Sequence, residues 1–356
     1  SLLGSIEIPS DIIDDDNLRV YVPSFRIDLE REVDLVEEVA RLIGYNEIPV
    51  SLPSVDLSYP EQDSERIKRN HINEFMTTLG FSEAINYSFY SSEYPSLLGI
   101  SDKDNRNRHV TILNPLSEDQ DVMRTSLLPC LFENIRRNVN FQQTSCKLFE
   151  IGKVFFPVSG QSLPDEPSRI AGVLTGQRDG SHVPLHTTDA QMDIFDVKGT
   201  VEALLEEMRL IDQVELTAAA GGVIEPFAEN DYALNLIHGN TVIGTVGKIK
   251  QDVLRNFGIK KDVYYFYLDF TALCNLSPAA KAFASLPIFP SVKRDIALVI
   301  PSSTLSRDLV NAVLNSREKL VEHCEVFDVY QGDKIERGCK SVALSITYRS
   351  QTKTLT

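Results

Sequence analysis

The sequence predicts an α+β chain made of several units, and three observations lead to this prediction. Its 356 residues are enough for two or three domains with a sizeable core. Candidate strands and helices are mixed without regular alternation, which is typical of domains built around an antiparallel sheet. Residues 287–356 read as strand, helix, strand, strand, the first part of a ferredoxin-like β-α-β-β-α-β unit. The closing helix and strand of such a unit are not found, so we expect this last domain to be incomplete.

The first 63 residues predict a small module followed by a linker. A strand is expected in "LRVYVPSFRID", and an amphipathic helix follows in "VDLVEEVARLIGYNEIP", where Leu35, Val39 and Leu42 recur at helical spacing. Gly44 is expected to end this helix. Residues 51–63 contain prolines and little periodicity, so we interpret them as a linker after a module of residues 1–50. The opening "SLLGSIEI" reads as the middle of a domain, and we expect the sequence to be a fragment.

The second domain is predicted to span residues 64–286. Its first helix, "SERIKRNHINEFMTTLG", is expected to be capped by Ser64 and ended by Gly80. A second long helix is expected in "MRTSLLPCLFENIRRNVN", with Pro129 in its first turn, and "DIFDVKGTVEALLEEM" is expected to couple a short strand to a helix. A hairpin turning at "HGN" is expected in "YALNLIHGNTVIGTVGKI". Further strands are predicted in "FSEAINYSF", "VTILNPLSED", "CKLFEIGKVFFPV", "SRIAGVLTG" and "VYYFYLDFTAL".

Composition excludes several classes of protein. A net charge of −16 argues against a broad electrostatic binder of nucleic acid, although residues 287–356 carry 10 Lys and Arg against 8 acids. No apolar run reaches the length of about 18 residues that a transmembrane helix needs, so no membrane contact is expected. The five widely spaced cysteines contain no CxxC pair and indicate reduced thiols and a cytoplasmic location.

Four carboxylates near the first helix form the clearest candidate site. Asp34, Glu37 and Glu38 share one patch at i, i+3 and i+4, and Asp28 is expected at the end of the preceding strand. Such an oxygen-only set would suit a hard cation such as Mg²⁺. The alternative is that acids in a first turn simply interact with the helix dipole while facing water, and on the pattern alone this alternative is the commoner one.

Other chemical motifs are weak. No GxGxxG, Walker loop, HExxH or GxSxG motif is present, and His182 and His186 are separated by Pro184, so a shared helical face there is not expected. Lys293 and Arg294 lie just before a predicted strand, beside Phe289. These three residues could contact single-stranded RNA, with Phe289 stacking on a base, although taken singly each fits a structural role as well.

In matching order, these stretches resemble the beta chain of bacterial phenylalanyl-tRNA synthetase. "VPSFRIDLEREVDLVEEVARLIGYNEIP" resembles the end of its small helical module. "NPLSEDQDVMRTSLLPCLFENIRRN", "KLFEIGKVF" and "FDVKGTVEALL" resemble its catalytic-like, class II synthetase-like domain. "FPSVKRDIALVI" and "KSVALSITYRSQTKTLT" resemble its ferredoxin-fold anticodon-binding domain. The resemblance implies a magnesium site at Asp28, Asp34, Glu37 and Glu38, and it moves our interpretation of these four residues to metal binding.

The resemblance also implies a function. The chain would be a non-catalytic subunit in an assembly of two alpha and two beta chains, in which the alpha chain uses ATP and Mg²⁺ to attach phenylalanine to tRNA(Phe). "FEIGKVFFP" has Phe156 and Pro157 where a class II synthetase would place an Arg for the ATP phosphate, so no catalytic residue is assigned here. The C-terminal domain would contact the anticodon. The alternative is a stand-alone scaffold or regulatory paralogue that has no part in charging tRNA.

Overall fold

The computed structural model describes residues 2–54, 59, 63–115, 117–179, 190–219, 224–283, 285–316, 318–332 and 334–355. The chain divides into two compact units, Ser1–Lys68 and Arg69–Thr356. In the described residues, no helix combines the length and the apolar composition that crossing a bilayer demands. His182 and His186, for which no shared helical face is expected, lie outside the described residues.

The first unit is a small helix-and-hairpin structure. Its elements are a 3₁₀ helix Leu3–Ile6, strands β1 Ser10–Ile12 and β2 Leu18–Val20, helix α1 Glu32–Ile43 and a 3₁₀ helix Tyr45–Glu47. Strands β1 and β2 pair antiparallel. The predicted helix and its end at Gly44 are confirmed. The long strand predicted over 18–28 is wrong, because pairing stops at Val20 and the chain turns after Pro23, where Arg26 N–H donates to Pro23 O.

Few residues are buried in the first unit. Leu3, Ile8 and Leu29 form its core, and Leu35 and Val39 of α1 pack against them. Helix α1 has no fully buried residue, although its apolar stripe is as regular as the sequence predicts. The stripe of α1 is therefore only partly covered by this unit's own residues.

The second unit contains the rest of the helices and strands. In chain order they are α2 Ser64–Thr78 (which begins in the first unit), β3 Ser82–Glu83, β4 Phe89–Tyr90, α3 Tyr94–Leu97, β5 Val122–Met123, α4 Leu128–Asn140, β6 Cys146–Lys153, β7 Ser168–Thr175, α5 Ile194–Glu207, β8 Glu215–Ala218, β9 Leu234–His238, β10 Thr241–Lys248, α6 Gln251–Asn256, β11 Val263–Asp269, α7 Phe270–Asn275, β12 Val292–Pro301, α8 Ser306–Leu314, β13 Val321–Tyr330 and β14 Cys339–Tyr348. Short 3₁₀ helices also occur in the described part of this unit, at Asn105–Asn107, Glu118–Gln120 and Asn230–Tyr232.

A seven-stranded sheet is the centre of the second unit. Its strand order is β3-β6-β7-β11-β10-β9-β8, and every pair is antiparallel except β3 with β6. The hairpin predicted at "HGN" is confirmed as β9 and β10, with Gly239 at a φ of +59° in the turn. Together with the mixed sheets, this confirms the predicted α+β class.

Both faces of the seven-stranded sheet are covered by helices, because apolar side chains alternate along its central strands. On β7, Ile170 and Leu174 join a core with α2 and α5, whereas Ala171 and Val173 join a second core with α4 and α6. Strand β11 alternates in the same way. The two cores lie on opposite sides of one sheet, which explains why these strands read as nearly continuous apolar runs.

Several sequence predictions in this unit need correction. "FSEAINYSF" forms two short strands, β3 and β4, and "VTILNPLSED" contributes only an isolated bridge from Thr111 to Val122. Helix α2 is preceded by Asp63, whose carboxylate accepts from Glu65 N–H at 3.0 Å, so Ser64 is not the cap. Asp193 likewise caps α5, where a short strand was predicted.

The glycine in β6 marks a close approach, as expected for a glycine within a strand. A Cβ atom on Gly152 would lie 2.2 Å from Nη2 of Arg124. The buried Arg124 guanidinium occupies that space, donating from Nε to Lys153 O at 2.9 Å and from Nη1 to Glu150 at 2.5 Å. Glycine at 152 therefore makes room for a buried ion pair beneath the strand.

The last part of the chain forms a separate three-stranded antiparallel sheet with the order β12-β14-β13. Leu309, Val310 and Val313 of α8 pack against Val342, Leu344 and Ile346 of the central strand. The predicted order of strand, helix, strand, strand is confirmed.

Candidate nucleic-acid interface and acidic cluster

The three-stranded sheet has one face covered by α8 and one open face. Even-numbered residues of β14 pack under α8, so the odd-numbered ones point to the open face, where Ser345 and Thr347 are only 8% exposed on the central strand between β12 and β13. Cross-strand register extends this assignment to the neighbours: Lys293 and His323 both pair with Thr347, and Asp295 and Glu325 both pair with Ser345.

Lys293 and Arg294 lie inside β12, not before it as predicted from the sequence. Because successive strand residues point to opposite faces, the two cations do not share a surface. Lys293 belongs to the open face, whereas Arg294 pairs with Ile346 and lies on the α8 side. Both side chains are exposed. The structure thus separates two residues that the sequence places next to each other.

The open face carries a mixed set of charges. Lys293 Nζ lies 3.8 Å from Glu325 Oε1, and His323 Nε2 lies 3.7 Å from Glu325 Oε2. The Lys293 side chain is 65% exposed, so it can exchange this weak pair for a phosphate. Tyr330, which is 43% exposed, pairs with Ser341 on the same face and offers a ring for stacking.

Phe289 is held by its backbone more than by its ring. Nη1 of Arg349 donates to Phe289 O at 2.8 Å, and Nε of Arg349 pairs with Glu322 at 2.8 Å. This bridge ties the segment before β12 to the start of β13. The Phe289 side chain is half-buried, so its ring is less open to a base than the sequence suggested.

Sequence reasoning missed His323, Tyr330 and Glu325 as members of the open face. A local signal exists in residues 323–326, where polar and apolar residues alternate with a period of two, although a register shift between Val321 and His323 precedes them. A bulge between Val326 and Asp328 then shifts the register, and no local pattern in the sequence indicates that shift.

The predicted acidic cluster lies at the start of α1. Asp34 Oδ2 accepts the backbone N–H groups of Arg31 at 2.7 Å and Glu30 at 3.0 Å, and these bonds lower the pKa of Asp34. Asp34 is therefore turned toward the backbone before the helix. Glu37 is exposed and faces solvent.

Arg26 joins two of the other carboxylates. Its Nη2 lies 2.7 Å from Asp28 Oδ2 and 2.7 Å from Glu38 Oε1, and Arg41 adds a second contact to Glu38 at 2.6 Å. The hydrogen bond from Arg26 lowers the pKa of both Asp28 and Glu38. The like charges that the sequence places together are thus neutralised by two guanidinium groups.

As placed, the four carboxylates do not fit one Mg²⁺ site. Among the described residues, no three His, Cys, Asp or Glu side chains converge in a way that could hold a metal ion. Arg26 supplies the positive charge between Asp28 and Glu38 that a cation would otherwise supply. The assignment of Mg²⁺ to these residues stays a prediction.

Comparison with protein families covers almost the whole sequence in three successive segments. Residues 1–45 match the tRNA synthetase B5 domain, residues 48–270 match the phenylalanyl tRNA synthetase beta chain CLM domain, and residues 287–356 match the ferredoxin-fold anticodon binding domain. The third match coincides with the α8-covered three-stranded sheet.

Individual relatives agree with these segments. The chain is 52% identical to the phenylalanine–tRNA ligase beta subunit of Desulfotalea psychrophila, matching over 100% of its own length and 44% of that protein. It is 40% identical to the beta subunit of Syntrophotalea carbinolica over 96% of this chain and 42% of that one, and 36% identical to that of Geobacter metallireducens over 100% and 44%. The chain thus spans less than half the length of these relatives. It belongs to the phenylalanyl-tRNA synthetase beta-chain family.

Proposed function

We propose that the chain is part of the non-catalytic beta subunit of a phenylalanine–tRNA ligase, which supports an alpha chain in the ATP-dependent charging of tRNA(Phe). The observation that carries this proposal is the match of three family domains in sequence order along one chain. The domains would be residues 1–50, a linker at 51–63, residues 64–286 and residues 287–356. The five cysteines, none of which is in a disulfide, support a cytoplasmic setting.

The seven-stranded sheet would be a class II synthetase-like domain that has lost catalysis. At the position of Phe156, a catalytic relative would need a cation for the ATP phosphate. In this chain, Phe156 instead forms an isolated β-bridge with Asp165. Without such a cation, the charge that develops during phosphoryl chemistry would have no counter-charge. The alpha chain would therefore bind ATP and phenylalanine, and Mg²⁺ would serve the reaction there.

A surface beside α4 supports the alpha chain as a partner. Ile85 is 89% exposed and Tyr87 is 70% exposed, and the Tyr87 ring stacks on Phe89 at 5.0 Å. These residues line an open cavity of about 680 Å³ together with Glu133, Asn134 and other residues of α4. Clustered apolar exposure of this kind marks interaction surfaces. The assembly would be a heterotetramer of two alpha and two beta chains.

The open face of the three-stranded sheet would contact the anticodon. Lys293 would meet a phosphate, and Tyr330 would stack on a base, as sheet platforms do for single-stranded RNA. Arg294, on the other face, would contact RNA only if the nucleic acid also reached the α8 side. Phe289 would act mainly by fixing the entry into β12.

The magnesium assignment to Asp28, Asp34, Glu37 and Glu38 remains part of this proposal.

The first experiment is to measure the solution mass of this chain by light scattering, alone and mixed with the matching alpha chain. We expect a complex larger than either chain. Phenylalanine-dependent ATP–pyrophosphate exchange should be absent from this chain alone and present in the mixture. If this chain forms adenylate unaided, the non-catalytic assignment is wrong. If the full-length beta chain containing it also fails to bind the alpha chain, the scaffold alternative gains support.

A further inference from the structure

Helix α8 of the three-stranded sheet domain meets the seven-stranded sheet at its outer strand, β8. The two sheets are connected along the chain by residues 276–291, which contain no helix or strand in their described part. Phe283, Leu286 and Ile288 in this connection are each more than 85% exposed. The start of the connection is anchored, since Gln213 Nε2 donates to Ser277 O at 2.7 Å and Ala279 N–H donates to Arg209 O at 3.0 Å. The exposed residues that follow do not fix the direction of one sheet relative to the other, which leaves this role to the contact at β8.

Arg307 forms that contact with both arms of its guanidinium group. Nη1 donates to Leu216 O at 2.5 Å, and Nη2 pairs with the carboxylate of Glu215. One bond goes to the backbone of an edge strand and the other to a side chain of the same strand. The planar guanidinium group therefore fixes both the position and the direction of α8 relative to β8. A single flexible ammonium group could not reproduce this geometry.

The position of Arg307 in α8 is unfavourable for the helix itself. It is the second residue of the helix, where the positive end of the helix dipole disfavours a cation. Its tertiary contact with β8 offsets that local cost.

Cavities on both sides make the contact narrow. One, of about 720 Å³, is lined by Asp212, Glu215 and Arg307, among others, and the other, of about 620 Å³, by Phe195, Tyr232, Leu305 and Arg307, among others. Arg307 lines both cavities, so its side chain crosses from α8 to β8 between them. An interface this open depends on a few directional bonds more than on continuous packing.

We propose that Arg307 is a positioning residue that, by binding β8, sets the direction in which the open face of the three-stranded sheet is presented to tRNA. This inference rests on the proposed contact between that face and tRNA. Arg307 itself lies on α8 and acts through the orientation of the domain.

The test uses the full-length beta chain assembled with its alpha chain. Arg307→Glu should raise the KM for tRNA about two- to fivefold, the factor that one exposed ion pair contributes, and leave ATP–pyrophosphate exchange unchanged. Combining Glu215→Arg with Arg307→Glu should recover part of that loss. Arg337→Glu is the matched control, because it makes the same charge reversal in an exposed turn of the same domain, between β13 and β14.

A second measurement reports orientation without tRNA. Spin labels carried by unnatural amino acids at the exposed positions Leu163 and Val299 should give a narrow distance distribution that broadens in Arg307→Glu and narrows again in the charge-swapped pair. An unchanged distribution overturns the proposal. An unchanged KM for Arg307→Glu also overturns it, while leaving the tRNA contact intact if Lys293→Ala still raises that KM. If Lys293→Ala has no effect either, the proposed tRNA contact is itself wrong.

Discussion

Nη1 of Arg124 lies 2.5 Å from Oε1 of Glu150, and both side chains are about 5% exposed. Asn86 donates to the other carboxylate oxygen of Glu150 at 2.8 Å, and Asn134 of α4 donates to Asn86 at 3.0 Å. A buried ion pair is tolerated only when its remaining polar atoms are satisfied, and here a chain of hydrogen bonds does so. The network connects β6 to α4 beneath the exposed Tyr87.

Glu150→Ala should destabilise the protein strongly, because it leaves the Arg124 guanidinium buried without a partner. We expect a loss of about 3–5 kcal/mol in the free energy of unfolding, measured by chemical denaturation followed by circular dichroism. Glu166→Ala is the control, since Glu166 pairs with Lys153 of the same strand at an exposed position, and it should cost less than about 1 kcal/mol. Equal losses in the two variants would contradict the structural role of the buried pair.

Two glycine substitutions should change stability in opposite directions. A Cβ on Gly172 would lie 2.2 Å from the Phe266 ring, so Gly172→Ala should overpack the core and cost about 1–3 kcal/mol. A Cβ on Gly199, inside α5, meets nothing within 4 Å, so Gly199→Ala should add about 0.5–1 kcal/mol through helix propensity. Thermal unfolding of both variants checks the pair. Destabilisation by Gly199→Ala would show that α5 packs more closely than described.

Lys293→Ala and Arg294→Ala should differ, since the two side chains lie on opposite faces of β12. Lys293→Ala should weaken tRNA binding by the intact enzyme and reduce the slope of the logarithm of the binding constant against the logarithm of salt concentration by about 1. Arg294→Ala should change both the affinity and this slope less. Binding titrations at several salt concentrations measure this difference. If Arg294→Ala has the larger effect, RNA contacts the α8 side of the sheet.

Arg26→Gln should free the carboxylates of Asp28 and Glu38 and strengthen Mg²⁺ binding, which isothermal titration calorimetry would detect. If Arg26→Gln binds Mg²⁺ no better than the unaltered protein, the assignment of Mg²⁺ to these carboxylates is wrong. Removing Mg²⁺ with a chelator should leave α1 intact, because Arg26 already neutralises the pair.

The same contacts predict a pH dependence for the first unit. The pKa values of Asp28 and Glu38 are lowered in the folded state by Arg26, so their contribution to stability is present above the pKa values of the unfolded chain and is lost as the pH falls through the folded values. We expect Arg26→Gln to reduce this loss in acid denaturation monitored by circular dichroism. An identical acid transition in both proteins would exclude the contribution.

Ile85→Asp with Tyr87→Asp should prevent association with the alpha chain and leave the fold unchanged, because both side chains are exposed. Leu163→Asp is the control, as Leu163 is 73% exposed in the loop between β6 and β7. Light scattering of the mixtures gives the masses. If the double variant forms the complex equally well, the alpha chain binds to a different surface of this chain.

Periodicity predicted the elements with strong local signals. Helices α1, α2 and α4 and strands β6, β7, β9, β10 and β11 follow from apolar spacing, caps and the turn at "HGN". Strands β3, β4 and β5 are two residues each, too short for alternation to define them. Their existence depends on partners distant in the chain, such as Phe149 beside Glu83.

The candidate sites were predictable as residue types but not as geometry. The acids near α1 were recognised, yet the role of Arg26 depends on a turn at Pro23 that brings Asp28 and Glu38 to one guanidinium group. Lys293 and Arg294 were recognised as a basic pair, yet the start of β12 at Val292 assigns them to different faces. In both cases a small shift in an element boundary decides which side chains meet.

The pairing of β7 with β11 has a consequence for folding. These adjacent strands at the centre of the sheet join residues such as Ile170 and Leu268, roughly a hundred positions apart, so the sheet has a high contact order. Because closing so long a loop costs conformational entropy, we expect this pair of strands to form late in folding. During synthesis, β6 and β7 leave the ribosome well before β11 can pair with the open edge of β7. Until then the edge of β7 has unpaired backbone groups, although α2, α4 and α5 can already cover the apolar faces, and this is the interval in which the chain is most exposed to aggregation.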